Sequence, residues 1–168
     1  MPDLAGSGMR VLFCGINPSL YSAVVGHHFA RPGNRFWKTL HAAGFTARVL
    51  APHEELELVE QGMGITNLAS RATATADEVA PEEVREGMRK LRRKVARWRP
   101  SWVAFLGLGA YRCAIGDARA ELGRQSQTLA GASVWALPNP SGLNAHYQLD
   151  DLARVYAELA RAAGFHPR

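Results

Sequence analysis

The sequence predicts a three-layer α/β/α protein in which a central, mostly parallel sheet of four strands lies between two layers of helices. Short apolar runs bounded by turn residues recur at residues 11–15, 64–68, 102–106 and 134–137. Runs of this kind are typical of strands that are buried on both faces. Segments with helical periodicity separate them, and strands that alternate with helices pair in parallel with helices on both faces of the sheet.

Length and composition indicate one domain over residues 1–168, in which we expect residues 1–8 to be poorly ordered. No apolar stretch approaches the ~18 residues of a membrane span, and no signal peptide is recognisable. The two cysteines, Cys14 and Cys113, provide no disulfide framework and are predicted to be small buried hydrophobic residues. We therefore expect a cytoplasmic protein with no membrane association, and a monomer.

The net charge of +5 and the isoelectric point near 9.7 favour a polyanionic partner but say nothing about the fold. Several of the basic residues lie along the predicted helix at residues 81–98. They form either a solvated helix surface or a set of phosphate contacts. These residues are Arg85, Arg89, Arg92, Arg93, Lys94 and Arg97.

The first strand ends at the turn that dominates the prediction of function. Gly15 allows the backbone to bend as the strand ends, and Pro18 keeps Asn17 out of the helical conformation. A polar side chain is thereby placed on a stiff turn at the carboxyl end of a buried strand. Open α/β sheets bind their ligands at that end of the sheet.

The remaining elements follow in order. Residues 20–35 lack a clean period and predict a loop with at most one helical turn, whereas residues 36–43 predict a helix that Gly44 ends. A proline start and early acidic residues predict a helix at 52–61, and composition predicts a loop at 69–80.

The second half of the chain repeats the alternation of helix and strand. Residues 81–98 begin with a proline and present one continuous apolar face, which is typical of a long amphipathic helix. A shorter helix is predicted at 110–115. Residues 149–163 predict the last helix, with Asp150 and Asp151 at capping positions.

Two strand ends carry asparagine–proline motifs, GINPS after the first strand and PNPSG after the fourth. In a parallel sheet these two ends share a rim, so the motifs are expected to converge on one site. The alternative is a pair of ordinary turns, because asparagine, proline, serine and glycine are common turn residues.

The sequence resembles the mismatch-specific uracil-DNA glycosylases, which are relatives of thymine-DNA glycosylase. GINP at 15–18, FARPGNRFWK at 29–38, AGFT at 43–46 and LPNPSGL at 137–143 stand in the order and spacing of that family. The resemblance implies a uracil-DNA glycosylase-like fold and a partner that is double-stranded DNA containing uracil in a mismatch with guanine, with uracil opposite adenine or in single-stranded DNA as alternatives. The function that it implies is hydrolysis of the N-glycosidic bond of a flipped-out uracil. A non-catalytic α/β module that binds nucleotide or nucleic acid remains the alternative.

The resemblance also implies roles for individual residues. Asn17 positions the water that attacks C1′ of the sugar, and Phe29 stacks on the flipped base. Other residues of the two motifs and of the following loop shape the base pocket. These are Ile16, Ser19, Ser22, Asn139 and Ser141. Gly142 and Leu143 form the wedge that enters the duplex, followed by Asn144, Ala145 and His146 on the DNA-binding side.

The two residues that follow the wedge depart from the pattern of the family. After the wedge, well-known members carry serine and arginine where this chain has Asn144 and Ala145, which predicts weaker dependence on an opposing guanine. His146 or Tyr147 is a possible partial substitute for that arginine.

Asp77, in the loop after the second strand, is either a second activator of water or a turn residue that leads into the next helix.

No cofactor and no metal are expected. The glycines at 107–109 follow a strand, but the third glycine and the acidic residue of a dinucleotide fingerprint are missing. His27 and His28 are adjacent in sequence, and neighbouring residues rarely converge on one ion.

Overall fold

The computed structural model describes residues 1–166 and has the predicted α/β/α layers. The strands are β1 (Val11–Gly15), β2 (Met63–Asn67), β3 (Trp102–Leu106), β4 (Gly123–Leu129) and β5 (Ala132–Leu137). The α-helices are α1 (Leu20–Val25), α2 (Phe36–Ala42), α3 (Leu56–Glu60), α4 (Pro81–Trp98), α5 (Leu108–Ile115) and α6 (Leu149–Ala162). Single 3-10 turns form at Pro52–Glu54 and Ala76–Glu78.

Over the residues that the structure describes, the sheet has five strands in the order β2-β1-β3-β5-β4, so the prediction of four strands was wrong by one. The four predicted strands pair in parallel, and the fifth, β4, runs antiparallel to β5 at the edge of the sheet. Its sequence, GRQSQTL, is almost entirely polar because most of this edge strand is exposed. An exposed edge strand has no apolar pattern by which the sequence could reveal it.

Alternate residues of the strands point into two separate cores. Phe13 and Ile65 face one layer, which α2, α3 and α6 cover, whereas Leu12 and Phe105 face the other layer under α4 and α5. All four of these side chains are almost completely buried. Burial on both faces explains why the central strands have continuous apolar sequences.

The amino-terminal segment packs against the sheet, whereas residues 1–8 were predicted from composition to be poorly ordered. Leu4 is buried and exchanges two backbone hydrogen bonds with Ile65, each 2.9 Å long. Asp3 accepts a hydrogen bond from Thr66 Oγ1 and forms a salt bridge of 2.9 Å with Lys94. Composition alone did not reveal these contacts, because they depend on residues far along the chain.

Helix bounds agree with the sequence predictions to within a few residues. The two differences are at residues 20–35, where α1 forms a short helix, and at 52–61, which divides into a 3-10 turn and α3.

Cys14 is buried, and this burial raises the pKa of its thiol, whereas Cys113 is only partly buried. Within residues 1–166, no helix is long and apolar enough to cross a membrane.

Candidate active site

A solvent-open cavity lies at the carboxyl edge of the sheet. In the sheet, β2 lies on one side of β1 and β3 lies on the other, so the strand order reverses at β1. Open α/β sheets bind their ligands at such a reversal. Both asparagine–proline motifs line this cavity, so their predicted convergence is confirmed. The polar or aromatic lining residues include Asn17, Ser19, Ser22, His28, Phe29, Arg31, Asn34, Asn67, Thr73, Thr75, Asn139 and Ser141.

The side-chain amide of Asn17 has a fixed orientation. Its Nδ2 donates one hydrogen bond of 2.8 Å to the carbonyl oxygen of Arg71 and another of 2.7 Å to Thr73 Oγ1. An amide nitrogen has two hydrogens, and these two bonds use both of them. The remaining polar atom, Oδ1, can only accept a hydrogen bond, so it is the atom of Asn17 that can hold a water.

The segment that anchors Asn17 is itself tied to α4. The guanidinium of Arg71 donates two hydrogen bonds to the carboxylate of Glu83, of 3.1 and 2.8 Å, and a third to the carbonyl oxygen of Glu78. The hydrogen bond from Arg71 holds the pKa of the Glu83 carboxyl below its usual range. Thr73 Oγ1 in turn donates to the carbonyl oxygen of Thr75. The position of Asn17 therefore depends on a loop that Arg71 ties to α4 and that the bond from Thr73 to Thr75 stabilises internally.

Gly15 is required where β1 meets the cavity. A Cβ added there would lie 2.6 Å from Asn67 Oδ1 and 3.5 Å from Cζ of Phe29, so any side chain would displace the asparagine. Asn67 is the last residue of β2 and pairs with Gly15 in the sheet. The sequence analysis did not identify Asn67 as a site residue. Its place one residue before the end of the strand predicted at 64–68 was the signal that could have done so.

Phe29 presents its ring to the cavity from an unusual backbone conformation. Its φ is 52°, a region in which non-glycine residues are uncommon. The ring packs on Phe36, with 4.1 Å between centroids. Ser22 is buried, and its Oγ accepts a hydrogen bond of 3.0 Å from the backbone of Ala30. Backbone strain such as that at Phe29 persists only where surrounding contacts maintain it, and it is frequent at ligand sites.

The two predicted pocket serines of α1 have structural contacts as well as a place on the cavity. Ser19 is the N-cap of α1, where its Oγ accepts a hydrogen bond of 3.0 Å from the backbone of Ser22. Ile16, the remaining pocket residue of the first motif, lines the cavity next to Gly107, where an added Cβ would lie 3.3 Å from Ile16 Cδ1.

The second motif forms a compact loop. Asn139 Oδ1 accepts a hydrogen bond of 2.9 Å from the backbone of Ser141, and Ser141 Oγ accepts one of 3.2 Å from the backbone of Leu143. The side chain of Leu143 is 60% exposed at the rim of the cavity. An exposed leucine on an ordered loop next to a cavity fits the predicted wedge.

The residues after the wedge differ in what they present to solvent. The Asn144 side chain is engaged within the loop, since it donates to the carbonyl oxygen of Asn139 and accepts from the backbone of His146. Ala145 and His146 are exposed. Gly142 packs tightly, and a Cβ added there would lie 2.6 Å from the carbonyl oxygen of Gly33.

Asp77 is not brought into the cavity. It lies in the single turn Ala76–Glu78 with its side chain exposed, and its neighbours Thr75 and Ala76 line the cavity in its place.

The side chains of the sequence neighbours His27 and His28 have different hydrogen-bond partners. His27 Nδ1 lies 3.3 Å from a carboxylate oxygen of Glu55, whereas His28 Nε2 lies 2.9 Å from the carbonyl oxygen of Pro2.

Together, the fold and the cavity define a doubly wound α/β protein with a binding site at the point where the strand order reverses. A family model described as the uracil DNA glycosylase superfamily matches residues 2–160. The chain therefore belongs to the uracil DNA glycosylase superfamily, and this membership assigns it a DNA glycosylase domain.

One solved structure confirms the fold. It is the solution NMR structure of a protein from Methanosarcina acetivorans that is proposed to be a uracil DNA glycosylase. The TM-score is 0.61, with 19% sequence identity, over 94% of this chain and 95% of that chain.

Proposed function

We propose that the protein is a monofunctional glycosylase of the mismatch-specific uracil-DNA glycosylase family, with a broader tolerance for the base opposite uracil. It extrudes uracil from double-stranded DNA and hydrolyses the N-glycosidic bond, leaving an abasic site. The observation that carries this proposal is the orientation of Asn17. Because Arg71 and Thr73 accept both hydrogens of its Nδ2, Oδ1 is the side-chain atom left to accept a hydrogen bond from a water.

The proposed reaction is a hydrolysis in which Asn17 orients the nucleophile. A water that donates one hydrogen to Oδ1 directs a lone pair towards C1′, and the bond from C1′ to the base breaks as the sugar gains oxocarbenium character. The electron pair of the broken bond leaves on the uracil, which departs as its anion. An amide cannot take the proton that the water loses, so this proton passes to the uracil anion or to solvent, and the expected turnover is slow. None of the described residues that line the cavity is a lysine, which favours direct hydrolysis over a Schiff base on a lysine.

The base pocket supports this reaction through stacking and amide groups. Phe29 offers an aromatic face, and Phe36 supports it from behind. Asn139 Oδ1 is engaged by Ser141, which leaves Nδ2 of Asn139 as the group that can donate to a carbonyl oxygen of uracil. Donors placed where charge develops on the departing base stabilise the transition state.

A cleavage assay tests the proposal. Duplexes with uracil opposite guanine, uracil opposite adenine or thymine opposite guanine, together with single-stranded uracil, are scored for alkali-labile abasic sites. We expect cleavage of uracil opposite both guanine and adenine, since the loop after Leu143 carries Asn144 and Ala145 and no arginine. If none of the four substrates gives product, the protein is a non-catalytic nucleic-acid-binding module.

Leu143→Ala is expected to lower cleavage of uracil in duplex DNA by roughly 30-fold. The change removes three carbon atoms from the proposed wedge, and burying that apolar surface in the gap left by the base is worth about 2 kcal/mol. The measurement is the single-turnover rate on duplex and on single-stranded uracil. Leu56→Ala is the matched control, because Leu56 is 67% exposed and lies on α3, away from the cavity. Equal losses on both substrates would contradict the role of Leu143 as a wedge.

The two interpretations of Asp77 predict different effects of Asp77→Asn on the single-turnover rate of cleavage. A carboxylate that activates water or stabilises the sugar cation contributes about 10²-fold or more, so its loss lowers the single-turnover rate to that extent. A turn residue contributes nothing to the rate, and the exposed side chain outside the cavity lining, next to Thr75 and Ala76, favours this second role. An unchanged rate would exclude Asp77 from catalysis.

A further inference from the structure

We infer that Arg35 is a positioning residue that holds the wedge loop, residues 138–147, in the conformation needed to replace an extruded base. The inference rests on the proposed function and adds a residue that the two asparagine–proline motifs do not contain. Arg35 is half-buried and does not line the cavity, so its effect on DNA is exerted through the loop.

Arg35 contacts the wedge loop at four carbonyl oxygens. Its backbone N–H donates to Pro140, at 3.0 Å. Its guanidinium donates to Ser141 at 2.6 Å and to Asn144 at 3.1 Å, and the other terminal nitrogen donates to Tyr147. The planar guanidinium presents its donors in a fixed fork, so these bonds fix the relative positions of the carbonyl groups on both sides of Leu143.

The same loop is closed against a second backbone segment. A Cβ at Gly142 would lie 2.6 Å from the carbonyl oxygen of Gly33, so the two segments pack main chain against main chain. Tyr156 donates a hydrogen bond of 2.7 Å from its buried hydroxyl to the carbonyl oxygen of Pro138, at the start of the loop. The loop is thus held at its beginning by α6 and along its length by Arg35.

Arg35 also connects the wedge loop to the stacking platform, which is the ring of Phe29 that is proposed to stack on the flipped base. The next residue, Phe36, supports the ring of Phe29, and the preceding residue, Asn34, lines the cavity and accepts a hydrogen bond of 2.9 Å from the backbone of Phe36. Three consecutive residues therefore set the cavity wall, the wedge and the platform. The position of Leu143 is fixed relative to Phe29 before DNA binds.

This arrangement predicts an effect that depends on the substrate. A wedge is needed only where a base must leave a stacked and paired position. If the loop held the productive conformation for only a tenth of the time, base extrusion from a duplex would fall about tenfold. Cleavage of a uracil that is already unpaired would change much less.

The test compares Arg35→Met and Arg35→Lys with Lys38→Met as the matched control. Lys38 is an exposed cation on α2, in the turn that follows Arg35. Single-turnover rates are measured on a duplex with uracil opposite guanine and on a duplex with uracil opposite an abasic spacer. For Arg35→Met we expect the ratio of the paired to the spacer rate to fall about tenfold. Arg35→Lys should restore part of it, because an ammonium can still donate to some of the carbonyl groups.

Hydrogen exchange measures the loop independently of catalysis. The backbone amides of Leu143 and Asn144, which bond to Ser141, should exchange faster in Arg35→Met, while those of β1 and β3 stay at the wild-type rate. Equal losses on both duplexes, or unchanged exchange in the loop, would overturn the role of Arg35. If the wild-type protein cleaves neither duplex, it is the proposed function that fails.

Discussion

Asn17→Ala is expected to lower the single-turnover rate of uracil cleavage by about 10²–10³-fold, the loss expected when a nucleophile is no longer held in the reactive geometry. Alanine lacks the acceptor that orients the water. It also removes the two hydrogen bonds to Arg71 and Thr73. The affinity for uracil-containing duplex should change little, because phosphate contacts supply most of the affinity of a protein for DNA.

Thr73→Val provides the graded comparison. Valine removes one of the two groups that accept from Asn17 Nδ2 and keeps the carbonyl oxygen of Arg71 as the other. Oδ1 of Asn17 remains present, so the loss of rate should be clearly smaller than that of Asn17→Ala. The rates of the two variants and their affinities for uncleaved duplex are measured side by side. A Thr73→Val variant that is as inactive as Asn17→Ala would show that Thr73 has a role beyond anchoring Asn17.

The sequence was informative where local rules determine structure. Burial on both faces made β1, β2, β3 and β5 recognisable as apolar runs, and the parallel sheet that follows from them placed Asn17 and Asn139 at one rim. The same rules do not predict β4. Its exposed, polar residues form a strand because they pair with the edge of β5.

The site residues that were missed depend on tertiary contacts. Asn67 lines the cavity only because β2 pairs with β1 in a register that sets Asn67 beside Gly15. Arg35 reaches the wedge loop across more than a hundred residues of sequence, so no local pattern indicates its function. The position of Asp77 just outside the lining also depends on a turn, Ala76–Glu78, that composition had predicted only as loop.

Gly87→Ala is expected to destabilise the protein by about 3 kcal/mol, although alanine is the better helix former. In an unhindered helix the change would gain about 1 kcal/mol. At Gly87, however, an added Cβ would lie 1.8 Å from the carbonyl oxygen of Leu68, at a point where α4 crosses the main chain that leaves β2. Overpacking against a well-packed interior costs 1–3 kcal/mol or more, and a contact with backbone cannot be relieved by a change of rotamer.

Thermal unfolding measures the effect, and about 3 kcal/mol corresponds to a fall in Tm of roughly 6–12 °C for a chain of this size. Gly109→Ala is the matched control. Gly109 lies in α5, and among the described residues a Cβ added there meets no atom within 4 Å apart from its chain neighbours and the backbone of its own helix. This variant should therefore be as stable as the wild type or slightly more stable. Because Leu68 directly follows Asn67, Gly87→Ala should also lower cleavage at temperatures where the protein remains folded. A Gly87→Ala variant that melts no lower than Gly109→Ala would mean that α4 and the end of β2 can move apart without cost.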